Sequence, residues 1–204
     1  EPYGSQLMGE LQAQLPHAVS DTRLLFATAL RIFDASLRDV VATLKGEGLF
    51  EHSVIVVTSD NGAPQDGSSW NGGSNYPLRG EKWRNYEGGV RVPAIVSSPL
   101  FPAGRRGARH DGLVHASDWL RTLVVGFAGG SDGAVAFSDG VDQASALYGR
   151  ADAPPRTTVP IHLTYLPQGQ AGLEGAGAYV ADLGPNVTFK IMYNSPKEAW
   201  YGPE

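Results

Sequence analysis

Apolar positions along the chain fall into runs of different period. Between Asp21 and Lys45, the residues Leu30, Phe33, Leu37, Val40, Val41 and Leu44 recur three and four apart, which is the spacing of one face of an amphipathic helix. Ser20 or Asp21 stands where an N-cap oxygen is wanted, and Gly46 or Gly48 where such a helix stops. The next run, "SVIVVTS", sets branched apolar residues side by side without polar alternation, as suits a strand covered on both faces in a largely parallel sheet. "VRVPAIVSS", residues 90–98, predicts a second strand, with Pro93 removing a ladder donor at an edge or irregular entry. In "LVHASDWLRTLVVGF", Trp119, Leu120, Leu123, Val124 and Phe127 share one helical face behind Ser117 as cap.

The remaining stretches carry weaker patterns. Residues 1–20 hold Pro2, Gly4 and Pro16 without a sustained period, so a surface loop with one short helical turn is expected. Residues 129–158 are rich in glycine, aspartate, alanine and proline and read as a linker with little order. "TVPIHLTYL", "GAYVADL" and "VTFKIMYN" alternate apolar with polar positions, predicting short strands of an antiparallel sheet packed on the main domain. The order of elements gives an α/β layered domain over residues 1–128, a linker over 129–158, and the start of a C-terminal subdomain over 159–204.

Composition narrows the choice. Among 204 residues, 42% are hydrophobic and 18% charged, enough apolar material for a folded core. The net charge of −5 comes from 16 basic and 21 acidic residues without a basic stripe, so nucleic acid is not an expected partner. No apolar stretch approaches the roughly 20 residues of a membrane-spanning helix, so no membrane partner is expected either. The absence of cysteine excludes disulfides, thiolate metal sites and cysteine nucleophiles within this chain. The chain opens on "EPYGSQLMGE", without methionine, without a basic start leading into an apolar run, and inside what reads as a loop, so we expect a piece of something longer.

The chemistry concentrates where the first strand ends. Ligands of parallel α/β sheets sit outside the carboxyl ends of strands, and "VIVVT" runs directly into Asp60, Asn61 and Gly62. A carboxylate and an amide oxygen are hard donors suited to calcium or magnesium. Asp-Asn-Gly is equally a strong turn signal. Downstream, "PLRGEKWRNYEGGVRVP" places Arg79, Lys82, Arg84 and Arg91 among Gly80, Gly88 and Gly89. Glycines let backbone approach a ligand, and cations on such a loop suit an oxyanion, although a charged glycine-rich loop is also an ordinary solvated surface. The loop tip, near Asp66 to Gly73, is expected to be mobile.

"TSDNG", "GGSNYPLRGEKWRNYEGGVRVPAIVSSPL" and "LVHASDWLRTL" resemble the successive signatures of the sulfatase family, over residues 21 to 127. The "NYPLRGEKW" version is most similar to the arylsulfatase B, or N-acetylgalactosamine-4-sulfatase, group. The resemblance implies a partial alkaline-phosphatase-like α/β sandwich with a small C-terminal antiparallel sheet. It implies calcium-dependent hydrolysis of aryl or glycosaminoglycan sulfate esters, with a sulfated small molecule or sulfated glycan as partner, in a lysosomal or secreted setting. Carried over by position, Asp60 and Asn61 are metal ligands, and Lys82 is the catalytic and substrate-binding cation that touches sulfate. Arg79, Glu87 and Arg91 match family positions that shape the loop, and His115 and Asp118 match the family's HxxD, read here as structural. Asn186-Val187-Thr188 is a glycosylation acceptor by pattern.

The sequence departs from the family widely: besides the nucleophile, two further calcium-binding aspartates and the lysine and histidines that grip sulfate in the family have no match here. The family's nucleophile, a cysteine or serine converted to formylglycine, stands in a Cys/Ser-x-Pro-x-Arg motif, and this sequence contains no such motif. The isolated chain is therefore expected to be inactive, with only part of the calcium site. A metal-dependent phosphatase or phosphodiesterase of the same fold, and a non-catalytic sulfated-sugar-binding homologue, stay open as alternatives.

Overall fold

The computed structural model describes residues 2–14, 20–65, 70–163, 177–182 and 188–193. The chain divides into two compact units, Glu1–Ser98 and Pro99–Glu204.

The first unit opens with a helix, α1 (Pro2–Gln14), where a loop was expected. Pro2 is tolerated in a first helical turn because its missing N–H would have no partner there. Leucine, methionine, glutamine, glutamate and alanine dominate the later turns, and the Gln6 amide donates to Glu10 at 3.1 Å across one turn. Leu7 is buried and α1 packs on α2, so tertiary burial outweighs the two glycines that blurred the period.

Helix α2 (Asp21–Gly46) is the predicted amphipathic helix. The Ser20 hydroxyl caps it by accepting from the Arg23 N–H at 3.3 Å, and the chain leaves it through Gly48 at φ 68°. Its buried side differs from the expected face. Leu24 and Thr28 are buried, Leu37, Val41 and Leu44 are half-buried, and Leu30, Phe33 and Val40 are exposed.

Strands β1 (Ile55–Thr58) and β2 (Ala94–Ser97) pair antiparallel, with Ile55 opposite Ser97 and Thr58 opposite Ala94. The parallel, doubly covered strand expected at "SVIVVTS" is corrected on both counts. β1 is half-buried, and Ile95 on β2 is 62% exposed. The described residues between the two strands fold back through loops and the short α3 (Glu87–Val90) and include no long crossover helix of the kind that parallel pairing needs. Pro93 sits at the entry of β2 as expected, its carbonyl accepting from the Thr58 hydroxyl at 3.1 Å.

In the second unit, α4 (Asp118–Arg121) continues as a π-helical stretch, Thr122–Phe127. The expected Ser117 cap is replaced. Asp118 reaches back to accept the His115 N–H at 2.9 Å, half of a capping box, while the Ser117 hydroxyl bonds His115 Nδ1 at 2.8 Å. The buried side also differs from the expected face: Leu120 is exposed, whereas Asp118 and Thr122, one turn apart, are fully buried.

Residues 129–158, expected as a linker with little order, carry a short 3-10 helix (Asp132–Val135) and α5 (Ala144–Leu147), with Val135, Gln143, Ala144 and Ala146 buried. A polar knot orders them. Buried Asp118 accepts from the Val141 N–H at 2.8 Å, from the Gln143 amide at 2.9 Å and from Arg156 Nε at 2.9 Å. Arg156 also donates to the carbonyls of Asp139 and Thr158 at 3.2 and 3.0 Å. Phe101, Phe127 and Tyr148 meet with ring centroids 5.3 to 5.8 Å apart. β3 (Thr158–Leu163), β4 (Gly177–Asp182) and β5 (Thr188–Tyr193) form the predicted antiparallel sheet in the order β3-β4-β5, with a register shift between Pro160 and His162. Asn186 and Val187 of the acceptor triplet, and Asp66 to Ser69 of the loop tip, lie outside the described residues.

The buried pair sets the acid response. Burial alone would raise the Asp118 carboxyl, but bonds from Arg156, the His115 and Val141 N–H groups and Gln143 outweigh it, and the pKa lies below the ordinary 3.8. The stability it contributes is fully present above 3.8 and is lost as pH falls through the lower folded-state value. Asp118→Ala, which leaves Arg156 buried without a counter-charge, is expected to destabilise the second unit by about 3–5 kcal/mol. Thermal melts of both proteins at pH 7 and under acid should show the gap between them closing in acid.

Candidate active site

Past β1 the chain leaves extended geometry within two residues. The Asp60 carboxylate turns back to accept the Asn61 N–H at 2.8 Å through Oδ1, and the Ser59 hydroxyl donates to the Asn61 carbonyl at 2.9 Å. The Asn61 amide donates to the Gly62 carbonyl at 2.9 Å. Asp60 is exposed and Asn61 half-buried.

Gly62 then meets the second glycine-rich segment backbone to backbone. Its N–H donates to the Gly89 carbonyl at 2.9 Å. A Cβ on Gly62 would lie 1.6 Å from the Gly88 carbonyl oxygen, and one on Gly88 would lie 2.0 Å from that of Gly80. No larger side chain fits at either position without moving backbone. One residue on, the Ala63 carbonyl accepts the Lys82 N–H at 3.3 Å. The strand-end loop and the Lys82 loop are thus joined by main-chain bonds on either side of Gly62.

Two further side chains complete the junction, and neither received a role from sequence. Asn75 bridges the segments: Oδ1 accepts the Ala63 N–H at 2.8 Å, and Nδ2 donates to the carbonyls of Ala63 and Gly80 at 2.8 and 3.1 Å. Glu81 is buried, with Oε2 accepting the Gln65 N–H at 2.6 Å. Asn75 stands inside "GGSNYPLRG", and an amide between two glycine turns was the available signal. The expected mobile tip is held at its far end, where Arg23 donates to the Gly72 carbonyl at 2.5 Å and Gly72 and Gly73 are buried.

Of the charged residues in this segment, Lys82 is half-buried with its ammonium 5.3 Å from the centroid of the Trp83 ring. Arg79 lies 4.3 Å from the centroid of Tyr86, and Arg91 pairs with Glu87 at 3.6 Å on the exposed side. The donor chemistry at the strand end suits a hard cation in kind, since Asp60 Oδ2 and Asn61 Oδ1 are oxygens not used in the bonds above. It falls short in number, because calcium takes roughly six to eight oxygens. Among the described residues no group of three or more histidine, cysteine, aspartate or glutamate side chains comes together to hold a metal ion.

The α/β scaffold is an alkaline-phosphatase-like fold, here in part and with a small antiparallel sheet. The chain belongs to the sulfatase family: the model of that family, described as Sulfatase, matches residues 10–126, more than half of the chain. It is 38% identical over 106 residues to arylsulfatase J of Mus musculus, covering 52% of this chain and 17% of the relative. It is 31% identical over 138 residues to N-acetylgalactosamine-6-sulfatase of Canis lupus familiaris, covering 67% and 26%, and 33% identical over 129 residues to arylsulfatase A of Homo sapiens, covering 63% and 24%. Among solved structures, that of Ps i-CgsB with k-i-k-neocarrahexaose superposes with a TM-score of 0.68 at 22% identity, over 97% of this chain and 43% of the other. The PsFucS1 sulfatase from Pseudoalteromonas sp. gives 0.58 at 24% identity, over 82% and 34%. The chain spans at most about a quarter of the length of these curated relatives.

The junction is testable apart from any activity. Gly62→Ala forces a Cβ into the Gly88 carbonyl and is expected to destabilise the first unit by about 2–4 kcal/mol. Asn75→Ala, which strips partners from Ala63 and Gly80, is expected to lose about 2 kcal/mol. Urea unfolding followed by tryptophan fluorescence reads both, and unchanged midpoints would refute the junction.

Proposed function

We propose that this chain carries the strand-end and lysine-loop part of the active site of a calcium-dependent sulfatase that hydrolyses sulfate esters of aryl groups or glycosaminoglycan sugars. The observation that supports the reading most is the main-chain seating of residues 62 and 63 on residues 89 and 82. It brings the backbone that leads on from Asp60 and Asn61 onto the backbone that bears Lys82. In this reading Asp60 and Asn61 give oxygens to the ion, which would polarise the ester oxygens. Lys82 sets its ammonium against the sulfate, favouring the charge that develops on oxygen as the ester bond breaks.

The finer assignment, to substrates of the N-acetylgalactosamine-4-sulfatase type, is carried by "NYPLRGEKW". A lysosomal or secreted setting goes with the same reading. By itself this chain does not turn over substrate, because its sequence holds no Cys/Ser-x-Pro-x-Arg nucleophile and, of the calcium ligands that the resemblance implies, matches only Asp60 and Asn61.

Calcium titration of the chain is expected to give only millimolar binding, abolished by Asp60→Ala, and a chromogenic aryl sulfate is expected to stay intact. N-acetylgalactosamine 4-sulfate should bind weakly and lose affinity in Lys82→Ala. Micromolar calcium affinity, turnover by the chain alone, or preference for the matching phosphate monoester would each overturn a part of the proposal.

A further inference from the structure

Residues 81–84 form a tight turn, closed by the Arg84 N–H to the Glu81 carbonyl at 3.0 Å. Lys82 takes its second position and Trp83 its third. Trp83 has φ 72° and is the one non-glycine residue with positive φ among those described. A turn with positive φ at the third position alone is the type that favours glycine or asparagine there. An indole at such a place is a steric outlier, of the sort that persists where the surroundings impose it and a function uses it.

The surroundings do impose it. The turn is tied down by the Lys82 N–H on the Ala63 carbonyl and by the Glu81 carboxylate on the Gln65 N–H. Underneath, Gly89 lies so close that a Cβ there would sit 2.3 Å from both the Glu81 and Arg84 carbonyl oxygens. The strain does not serve to bury the side chain, since Trp83 is 68% exposed. A large apolar face is held in solvent on a rigid turn, beside an ammonium. Among the described residues no carboxylate pairs with that ammonium.

We propose that Trp83 is the stacking surface for the sugar ring whose sulfate ester meets Lys82, an inference that rests on the sulfate-ester reading of this site. A pyranose presents a face of C–H groups that covers an indole, while its equatorial and axial oxygens stay solvated or bonded. The neighbouring ammonium supplies the charge that a ring-borne sulfate needs. A flat aromatic beside a cation selects a sulfated ring over free sulfate, which gains nothing from the indole. Trp83 is thus a specificity residue, and Lys82 is the anion contact.

Amide and indole shift titrations of the isotope-labelled chain test this, with N-acetylgalactosamine 4-sulfate and inorganic sulfate as separate probes. Trp83→Ala is expected to weaken sugar-sulfate binding about tenfold and to leave inorganic sulfate unchanged, while Trp83→Phe restores most of the loss. Trp83→Gly should bind as Trp83→Ala does yet melt at the same or a higher temperature, because glycine adopts this φ without strain. Undiminished sugar-sulfate binding by Trp83→Ala, equal loss of both probes, or a lower melting temperature for Trp83→Gly would overturn the inference. If Lys82→Ala loses both probes and Trp83→Ala loses neither, the inference fails alone. If Lys82→Ala changes neither, the sulfate-ester reading fails and takes this inference with it.

Discussion

The contact between Gly62 and the Gly88 carbonyl is the constraint on which the candidate site depends. It is a contact of main chain with main chain, too close for any side-chain carbon, and hydrogen bonds to residues 89 and 82 flank it. Such a junction has no rotamers to lose and no long side chain to order, so its geometry is set by the backbone path alone. Asp60 and Asn61 on one side, and Lys82 and Trp83 on the other, inherit their positions from it. Asn75 and Glu81 satisfy the polar groups that the close approach would otherwise leave without partners.

The second unit solves a different problem with similar means. Asp118 is buried and its pKa is displaced, features that elsewhere mark a group used in proton transfer. Here both of its oxygens are occupied by Arg156, two backbone N–H groups and Gln143. A carboxylate so filled is an anchor, and it ties the start of α4 to residues 139–158, which have few apolar side chains to bury. Asp60 differs in place, being exposed, with Oδ2 not used in the bonds described above.

How much of this was legible in the sequence depended on whether the controlling contact was apolar and periodic. Helix α2 and the three-stranded sheet were legible because period and caps declare them. The site motif was legible as residue types in order. Helix α1 was not, because Gly4 and Gly9 interrupt its period and only Leu7 among its described side chains is buried, on a helix that packs on α2. The order within residues 129–158 was hidden because polar bonds create it, from Asp118, Thr122, Gln143 and Arg156, and these leave no hydrophobic period to read. The antiparallel pairing of β1 with β2 was hidden for a topological reason: an apolar run says nothing about strand direction, and here it overstated the cover as well, since β1 is only half-buried.

The electrostatics of the lysine loop explain why an indole and a cation belong together there. The chain is acidic overall, with a net charge of −5, so the anionic ester of the proposed reading would gain no long-range attraction from it and would be recognised locally. A lysine paired with a carboxylate would be neutralised as a local charge, and an anion would have to displace the carboxylate. The Trp83 ring attracts the Lys82 ammonium through its quadrupole without cancelling the charge. The ammonium is therefore steadied without a carboxylate partner among the described residues. In the proposal above, the same ring would give the carbon skeleton of the bound group somewhere to lie, so that the two halves of a sulfated sugar, one charged and one apolar, would meet two adjacent residues on one turn.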